Sequence, residues 1–284
     1  MSTLPAFLRD RSAGMGRHDT RKFRSMTLVQ LGLGAPWKLS TLHDRHDDLL
    51  IWVTKGQGRV IMNGVRRGIG THNAVFLPAG TLWSVDLGPQ SFAQVVTSPP
   101  GLIARLPKQA LHLRIRDSLA QAEILAEIEA MQREITRDRP LLQDALEAHV
   151  RLIAVWLQRQ MVAGAIDLPK DTAAHRLVRR FVLDLVRDFR TDRVMADYAA
   201  ALDVTPTHLT RVCRAACGKT ASEMLVERRL YEARLLLSAP APAIREIASD
   251  LGFHSAAYFT RFIQTHTGLT PSALRKHSLG QPTR

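Results

Sequence analysis

A pattern that occurs twice in the last third of the chain constrains the fold more than any other feature. The pair YA at residues 198–199 corresponds to IA at 247–248, an offset of 49, and CGKTAS at 217–222 corresponds to TGLTPS at 267–272, an offset of 50. A helix, a tight turn and a second helix explain both copies, with the small alanines allowing close helix contact. The change of offset predicts that one turn is one residue longer than the other.

The second helix of each copy has a polar face that the local core does not need. Thr205 and Ser255 lie where a hydroxyl can cap the first turn of a helix. Small residues at a helix tip, followed by arginine one turn later, fit the major groove, because they permit close approach and arginine binds guanine edges or phosphates. The residues predicted at this DNA interface are Thr205, Pro206, Thr207, Thr210, Arg211 and Arg214 in the first copy, and His254, Ser255, Ala256, Ala257, Thr260 and Arg261 in the second. The pattern leaves open which arginine contacts a base and which a phosphate.

The segment that joins the two copies is predicted to be a rigid spacer. Residues 222–240 have the apolar spacing of one long helix, which Pro240 and Pro242 end. Successive major-groove faces on one side of B-DNA lie about 34 Å apart. A single chain is therefore predicted to read two consecutive grooves.

The charge of the chain favours an anionic partner. There are 39 Lys and Arg residues against 26 Asp and Glu, a formal net charge of +13, and residues 172–284 hold 17 against 10. Nucleic acid and an anionic membrane surface both suit such a chain. No apolar run reaches the ~18 residues of a membrane-spanning helix, and the N-terminus lacks the apolar core of a signal peptide. We expect a cytoplasmic protein with no membrane partner. The basic arm at residues 1–24 is expected to contact DNA, to contact the DNA-binding domain of its own chain, or only to add solubility.

The second copy and its flanks resemble a known family. The segment REIASDLGFHSAAYFTRFIQTHTGLTP at 245–271 is close to the signature of the AraC/XylS transcriptional regulators, and the resemblance covers about residues 173–277. It implies a seven-helix DNA-binding domain at 174–278 with helix-turn-helix motifs at about 194–216 and 244–267. Promoter double-stranded DNA is the partner that this resemblance implies.

The resemblance also implies which residues approach the bases. These are Thr207, Thr210 and Arg211 in the first motif and Ala256, Ala257 and Arg261 in the second. Ala256 and Ala257 depart from the polar tip of the family pattern. Methyl contacts to thymine or anchoring to the DNA backbone are therefore expected there in place of base-specific hydrogen bonds.

Residues 26–98 predict an all-β region. Short β-branched and aromatic runs are separated by KGQG, MNG, PAG and DLGP, which are turn signals at the spacing of a sandwich or barrel. The region is similar to the cupin-type sensory domain common at the N-terminus of the same family, and we assign this domain to residues 25–110. FLPAGTLWSV at 76–85 resembles the second cupin motif, but Trp83 stands where metal cupins carry histidine.

The histidines of HDRHDD at 43–48 argue against a metal site. His43 and His46 are three residues apart, and on a strand such residues point to opposite faces, so both can face the barrel only if the segment is a loop. A catalytic mononuclear site needs about three inward-facing ligands, so we predict no metal, no cofactor, no catalytic residue and no enzymatic activity. The residues predicted to bind a small-molecule effector are His43, His46, Trp52, Phe76 and Trp83. Simple filling of the core is the competing interpretation for each of them.

Two amphipathic helices are predicted after the β-region, at 116–137 and 139–161, within a helical pair at 111–162. Their apolar stripes either pack on the β-domain or form a dimer seam. Residues 163–173, rich in small residues, are predicted to be an exposed linker. Cys213 and Cys217, four residues apart in a helical pattern, are expected to be buried structural thiols.

The predicted fold class is α+β: an N-terminal cupin-like β-barrel with a helical pair, followed by an all-α domain with two helix-turn-helix motifs. The leading hypothesis is a sequence-specific DNA-binding transcriptional regulator, with activation favoured, that senses a small molecule through its N-terminal domain. A homodimer would present two DNA-binding domains, and activation would add RNA polymerase as a partner. Two alternatives stay open: a cupin-type metalloenzyme with an appended helical domain, and a sequence-indifferent DNA-binding protein.

Overall fold

The computed structural model describes residues 22–33, 35–167 and 172–280. The chain divides into two compact units, with the boundary between Arg179 and Arg180. The first unit is rich in β-strands and the second is helical, which confirms the predicted fold class. Most of the predicted basic arm lies outside the described residues.

Within the described residues of the first unit, eight strands form two antiparallel sheets. The strands are β1 (Arg24–Thr27), β2 (Asp48–Lys55), β3 (Gln57–Met62), β4 (Val65–Gly70), β5 (Asn73–Leu77), β6 (Trp83–Leu87), β7 (Phe92–Ser98) and β8 (Leu111–Arg114). One sheet has the order β1-β7-β2-β5-β8 and the other the order β4-β3-β6. Asn63 and Gly64 join β3 to β4 with φ of 49° and 74°, as a two-residue hairpin turn requires. The MNG turn signal is thereby confirmed.

Strand β2 is buried on both faces, and this position explains its continuous apolar sequence LLIWV. Leu49, Ile51 and Val53 belong to a core that residues of both sheets form. Leu50 and Trp52 belong to a second core on the other face of the five-stranded sheet. Successive side chains of a strand point to opposite faces, so one strand contributes to two cores.

Two long helices cover the outer face of the five-stranded sheet. The helices of the first unit are α1 (Leu28–Leu31), α2 (Trp37–Ser40), α3 (Ser118–Arg137) and α4 (Leu142–Val162). Asp117 caps α3 by accepting from the amides of Leu119 and Ala120. The apolar stripes of α3 and α4 join the second core, and the indole nitrogen of Trp156 donates to the carbonyl of Ala120 at 2.9 Å. Packing on the β-domain is confirmed, and a dimer seam stays a prediction.

The chain leaves α4 along the edge of the five-stranded sheet. The amide of Arg114 donates to the carbonyl of Ala165 at 2.9 Å, and the amide of Asp167 donates to that of His112 at 2.8 Å. Residues 165–167 of the predicted exposed linker therefore extend the sheet beyond β8. Sequence alone missed this pairing because three residues are too few to show a strand pattern.

We expect acid to destabilise the first unit through His112. Its side chain is 1% exposed, and burial, helped by Arg67 and Arg114 and opposed by Asp167, lowers its pKa from 6.5 to about 4. The pKa of His112 is lower in the folded state than in the unfolded chain. The free energy of unfolding is therefore highest above pH 6.5, and it falls by about 3 kcal/mol as the pH is lowered toward 4, because the unfolded chain binds the proton first.

Urea unfolding of the full chain at several pH values checks this expectation. The variant His112→Gln should lose less stability than the wild type between pH 6.5 and pH 4. His277→Gln, at an exposed position of the other unit, is the matched control and should keep the wild-type slope. If the free energy of unfolding changed equally with pH in all three proteins, the assignment of the acid sensitivity to His112 would be contradicted.

The helical part of the chain has seven helices among its described residues, as the resemblance implies. They are α5 (Ala173–Asp188), α6 (Met195–Ala201), α7 (Pro206–Cys217), α8 (Ala221–Leu237), α9 (Ile244–Asp250), α10 (Ala256–Thr267) and α11 (Pro271–Ser278). Helix α8 is the predicted spacer, and its 17 residues span about 26 Å at 1.5 Å per residue. In the part of the chain that the structure describes, no helix is both long enough and apolar enough to cross a membrane.

Charged residues lie inside the helical unit as well as on its surface. Arg228 of α8 is 4% exposed and donates to Glu232 at 2.8 Å, while Arg190 forms a second ion pair with the same carboxylate. The guanidinium of Arg228 also lies 3.9 Å from the ring centroid of Phe189. Removing one partner of such a buried pair costs about 3–5 kcal/mol, because it leaves the other charge without compensation. This network ties α8 to the end of α5.

The two cysteines are buried and free, which confirms the structural interpretation. The thiol of Cys217 lies 3.8 Å from the sulfur of Met224 on α8, so it packs at the contact between α7 and α8. Burial raises the pKa of Cys213 to about 12. Cys213 therefore stays a thiol at neutral pH and behaves as a small apolar residue.

Candidate nucleic-acid interface

The two helix-turn-helix copies differ in the length of the turn, as the offset predicts. Four residues separate α6 from α7, and five separate α9 from α10. Asp203 in the first turn and Gly252 in the second both have positive φ, 56° and 73°. A side chain at Gly252 would collide with the carbonyl oxygens of Arg190 and Thr191, so only glycine fits there.

Both second helices begin with a capping hydroxyl, which confirms that part of the prediction. The Oγ1 atom of Thr205 accepts from the amide of His208 at 3.2 Å, and the Oγ atom of Ser255 accepts from the amide of Tyr258 at 3.1 Å. Pro206 occupies the first turn of α7, where its missing N–H leaves no helix bond unmade. The caps fix where α7 and α10 start and hence which side chains face outward.

One face of each second helix is buried. Leu209 and Cys213 of α7 and Phe259 and Ile263 of α10 have no solvent exposure. Phe262, which corresponds to the buried Val212 of the first copy, is only half-buried, and the adjacent Ile263 takes the interior position. The sequence spacing alone could not choose between these neighbours because both are large and apolar.

The predicted DNA-contacting residues lie on the opposite, open faces of α7 and α10 and on the turns before them. Ten of the twelve are exposed: Thr205, Pro206, Thr207, Arg211, Arg214, His254, Ser255, Ala256, Ala257 and Arg261. Thr210 and Thr260 are half-buried. The hydroxyl of Thr260 donates to the carbonyl of Ala256 at 2.9 Å, so it is committed to its own helix.

Two residues on these faces were missed by the sequence analysis. His208 and Tyr258 stand at the same place in the two copies, 50 residues apart, and the repeat offset could have found them. A guanidinium nitrogen of Arg211 lies 3.1 Å from Nδ1 of His208. Tyr258 is 54% exposed, and its ring is tilted against that of Phe253, with the two centroids 5.8 Å apart.

The two open faces differ in charge. At corresponding positions the first copy has Arg211 and Arg214, whereas the second has Arg261 and Gln264, and all four are exposed. An arginine suits both phosphate and guanine, while a glutamine can pair with the edge of adenine. The first copy is therefore the more cationic of the two.

We expect the capping hydroxyls to stabilise the helical unit. Thr205→Ala and Ser255→Ala should each lower the free energy of unfolding by about 1 kcal/mol, because each leaves an amide of the first turn without its partner. Thr265→Ala, at an exposed position in the last turn of α10, is the control and should be neutral or slightly stabilising. Denaturant unfolding of the full chain measures all three; equal effects would show that the caps contribute nothing.

The five predicted effector-binding residues do not come together in the structure. Trp83 lies in the core between the sheets, with the ring of the buried His43 4.4 Å from it. Trp52 and Phe76 lie in the second core, under α3 and α4. His46 is exposed. No group of three or more His, Cys, Asp and Glu residues able to hold a metal ion occurs among the described residues.

Comparison with known proteins agrees with the geometry of the helical unit. Residues 198–277 match the model of a family described as "Helix-turn-helix domain". The Arabinose operon regulatory protein of Escherichia coli (strain K12) is 27% identical over 128 residues, which cover 44% of this chain and 43% of that protein. The Probable transcription factor PqrA of Proteus vulgaris is 37% identical over 70 residues, which cover 25% of this chain and 57% of that protein. Each alignment thus spans less than two thirds of the relative.

A solved structure is similar over most of the chain, at low identity. ToxT from Vibrio cholerae O395 has a TM-score of 0.40 and 14% identity, with 91% of this chain and 99% of that chain covered. The residues that match the family model define a helix-turn-helix domain. This domain is of the AraC/XylS type, as the signature at 245–271 indicates.

Proposed function

We propose that this protein is a sequence-specific transcriptional regulator that binds promoter double-stranded DNA through α7 and α10. The observation that carries the proposal is the pair of capped helices with one arginine, Arg211 or Arg261, exposed at the same position of each. A single exposed arginine on a helix is ordinary. An enzyme, or a helical tail without a function, would not need the same arrangement twice in one basic unit.

The spacer supports reading of two consecutive grooves. Both helix-turn-helix copies pack on α8, whose Met224, Ala233 and Leu237 are fully buried. Because α8 is a core helix of the unit, it holds the two copies at one separation. Its length of about 26 Å is of the same order as the ~34 Å between successive groove faces.

The first copy is proposed to supply most of the electrostatic attraction and the second more of the direct readout. Arg211 and Arg214 add two charges to α7, whereas α10 offers Arg261 with Tyr258 and Gln264. Phosphate contacts position a protein on DNA and base contacts give specificity. Gln264 and the methyl groups of Ala256 and Ala257 are thus expected to discriminate bases.

The regulatory part of the proposal concerns the first unit. We propose that it receives a small-molecule signal, that the chain acts as a homodimer and that activation involves RNA polymerase. The resemblance to cupin-type sensory domains and the names of the relatives, which describe an operon regulator and a transcription factor, support this proposal.

Genome-wide mapping of bound sites, followed by competition binding, tests the proposed function. A regulator should occupy a few discrete promoter sites, and each changed base pair in such a site should cost about 1–3 kcal/mol. The same duplexes with scrambled sequence at constant length and salt are the control. Equal affinity for every duplex would leave a sequence-indifferent DNA-binding protein, and no bound site would overturn DNA binding altogether.

A further inference from the structure

Two arginines and a histidine at the edge of the five-stranded sheet surround one carboxylate of the linker, whose side chain is 34% exposed. Two guanidinium nitrogens of Arg114 lie 3.0 and 3.1 Å from Oδ2 of Asp167. Arg67, which reaches the cluster from β4, donates to the main-chain carbonyl of the same residue. Nδ1 of His112 lies 3.1 Å from Oδ2 of Asp167. We call Arg67, Arg114 and His112 the linker cradle.

Asp167 leaves part of this cradle unsatisfied. Nδ1 of His112 and Nε of Arg67 are buried and have no hydrogen-bond partner. The Nδ1 atom is close to the carboxylate but is not oriented for a hydrogen bond. A buried polar group without a partner destabilises the folded state. Asp167 therefore compensates the charge of the cradle without meeting all of its hydrogen-bonding capacity.

The hydrogen bonds of Asn73 decide what His112 can offer. The amide nitrogen of Asn73 donates to the carbonyl of Thr71 at 3.2 Å, so its oxygen faces Nε2 of His112 at 2.7 Å and accepts the proton there. A neutral imidazole that donates through Nε2 has a lone pair on Nδ1. A pKa of about 4 keeps His112 neutral at pH 7. The cradle thus presents two cations and one buried acceptor.

We propose that the linker cradle is a binding site for small 2-hydroxycarboxylates and that Asp167 occupies it when no such ligand is bound. The carboxylate of the ligand would replace that of Asp167 against Arg114, and Arg67, released from the main-chain carbonyl of Asp167, would pair with the same anion. Its hydroxyl would donate to Nδ1 of His112, which Asp167 cannot do. A site with a buried acceptor favours a ligand that carries the matching donor.

Displacement of Asp167 would lengthen the segment of the chain that precedes α5. Ala165, Ile166 and Asp167 are held on β8 by the two main-chain hydrogen bonds described above. Their release adds three residues, or about 10 Å of reach, to the segment before α5. The inference deepens the sensing part of the proposed function by naming a ligand class and a site. The site can be tested without DNA.

Binding of glycolate and acetate to Asp167→Ala, measured by calorimetry at constant ionic strength, tests the site. Acetate supplies the carboxylate that Asp167→Ala removes, together with one methyl group, and glycolate adds only a hydroxyl to acetate. We expect glycolate to bind at least tenfold more tightly than acetate to this variant, and at least tenfold more tightly than to the wild type, where Asp167 competes. The double variant Asp167→Ala, Arg114→Gln should bind both anions at least tenfold more weakly than Asp167→Ala does.

Hydrogen exchange at the amide of residue 167 in the wild type is the second measurement, and it does not depend on any variant folding. Saturating glycolate should raise the exchange rate at least tenfold, while chloride at the same ionic strength should not. Equal affinities for glycolate and acetate would overturn the role of His112. No anion binding to Asp167→Ala, or no change in exchange, would overturn the site, and neither result would touch the proposal of DNA binding.

Discussion

Replacing Arg211 and Arg261 together by alanine should reduce affinity for a specific duplex by roughly 2–6 kcal/mol, because each well-placed contact to a base is worth about 1–3 kcal/mol. Both side chains are exposed on the open faces of α7 and α10, so their loss should leave the fold intact. Fluorescence anisotropy with a mapped site and a scrambled duplex measures the effect. Arg59→Ala, which removes one exposed charge from β3, is the control.

The single substitutions separate base contacts from phosphate contacts. Where the arginine reads a base, the difference in affinity between the specific and the scrambled duplex should shrink. Where it contacts a phosphate, both affinities should fall together, and the slope of affinity against salt should decrease by about one. A double variant that binds no worse than Arg59→Ala would contradict the assigned interface.

Gly252→Ala should destabilise the helical unit by about 2–5 kcal/mol, the sum of about 1–2 for a left-handed alanine and about 1–3 for overpacking. An added Cβ would lie 2.6 Å from the carbonyl oxygen of Arg190 and closer still to that of Thr191. Both carbonyls belong to the end of α5 and its following turn, where Arg229 of α8 also donates to the carbonyl of Thr191 at 2.6 Å. The backbone there has little freedom to move away.

Gly268 provides a matched control for this prediction. It has the same φ of 73° at the end of α10, but nothing lies within 4 Å of the place where its Cβ would be. Gly268→Ala should therefore cost only the backbone penalty of about 1–2 kcal/mol. Denaturant unfolding of both variants gives the difference, and equal losses would show that the close approach at Gly252 does not matter.

The helical unit could be predicted in detail because its signals are local and repeated. The offsets of 49 and 50, the hydroxyls of Thr205 and Ser255 and the turn at Gly252 all lie within a few residues of the structure that they specify. The pattern of turns in residues 26–98 likewise predicted the β-region. Local spacing and turn chemistry are the information that a single sequence carries best.

Features that depend on distant partners could not be predicted. Arg228 and Glu232 have the spacing of an exposed helical ion pair, yet both are buried, because Phe189 and Arg190 pack on them. Trp52 and Trp83 seemed suited to one pocket, but they belong to two cores. Which face of a strand a residue takes depends on the sheet as a whole, and the linker cradle depends on residues far apart in the chain.

In the proposed binding mode, the buried helix α8 would fix the distance between the two DNA elements that α7 and α10 contact. One base pair inserted between the two proposed contact sites would move the second by about 3.2 Å and turn it by roughly 34°, given about 34 Å and 10.5 base pairs per turn. A flexible tether would absorb such a change, but a helix whose Met224, Ala233 and Leu237 are locked into the interior cannot do so without unpacking. The choice of target would then depend on the distance between two short DNA elements as strongly as on the base sequence of each element.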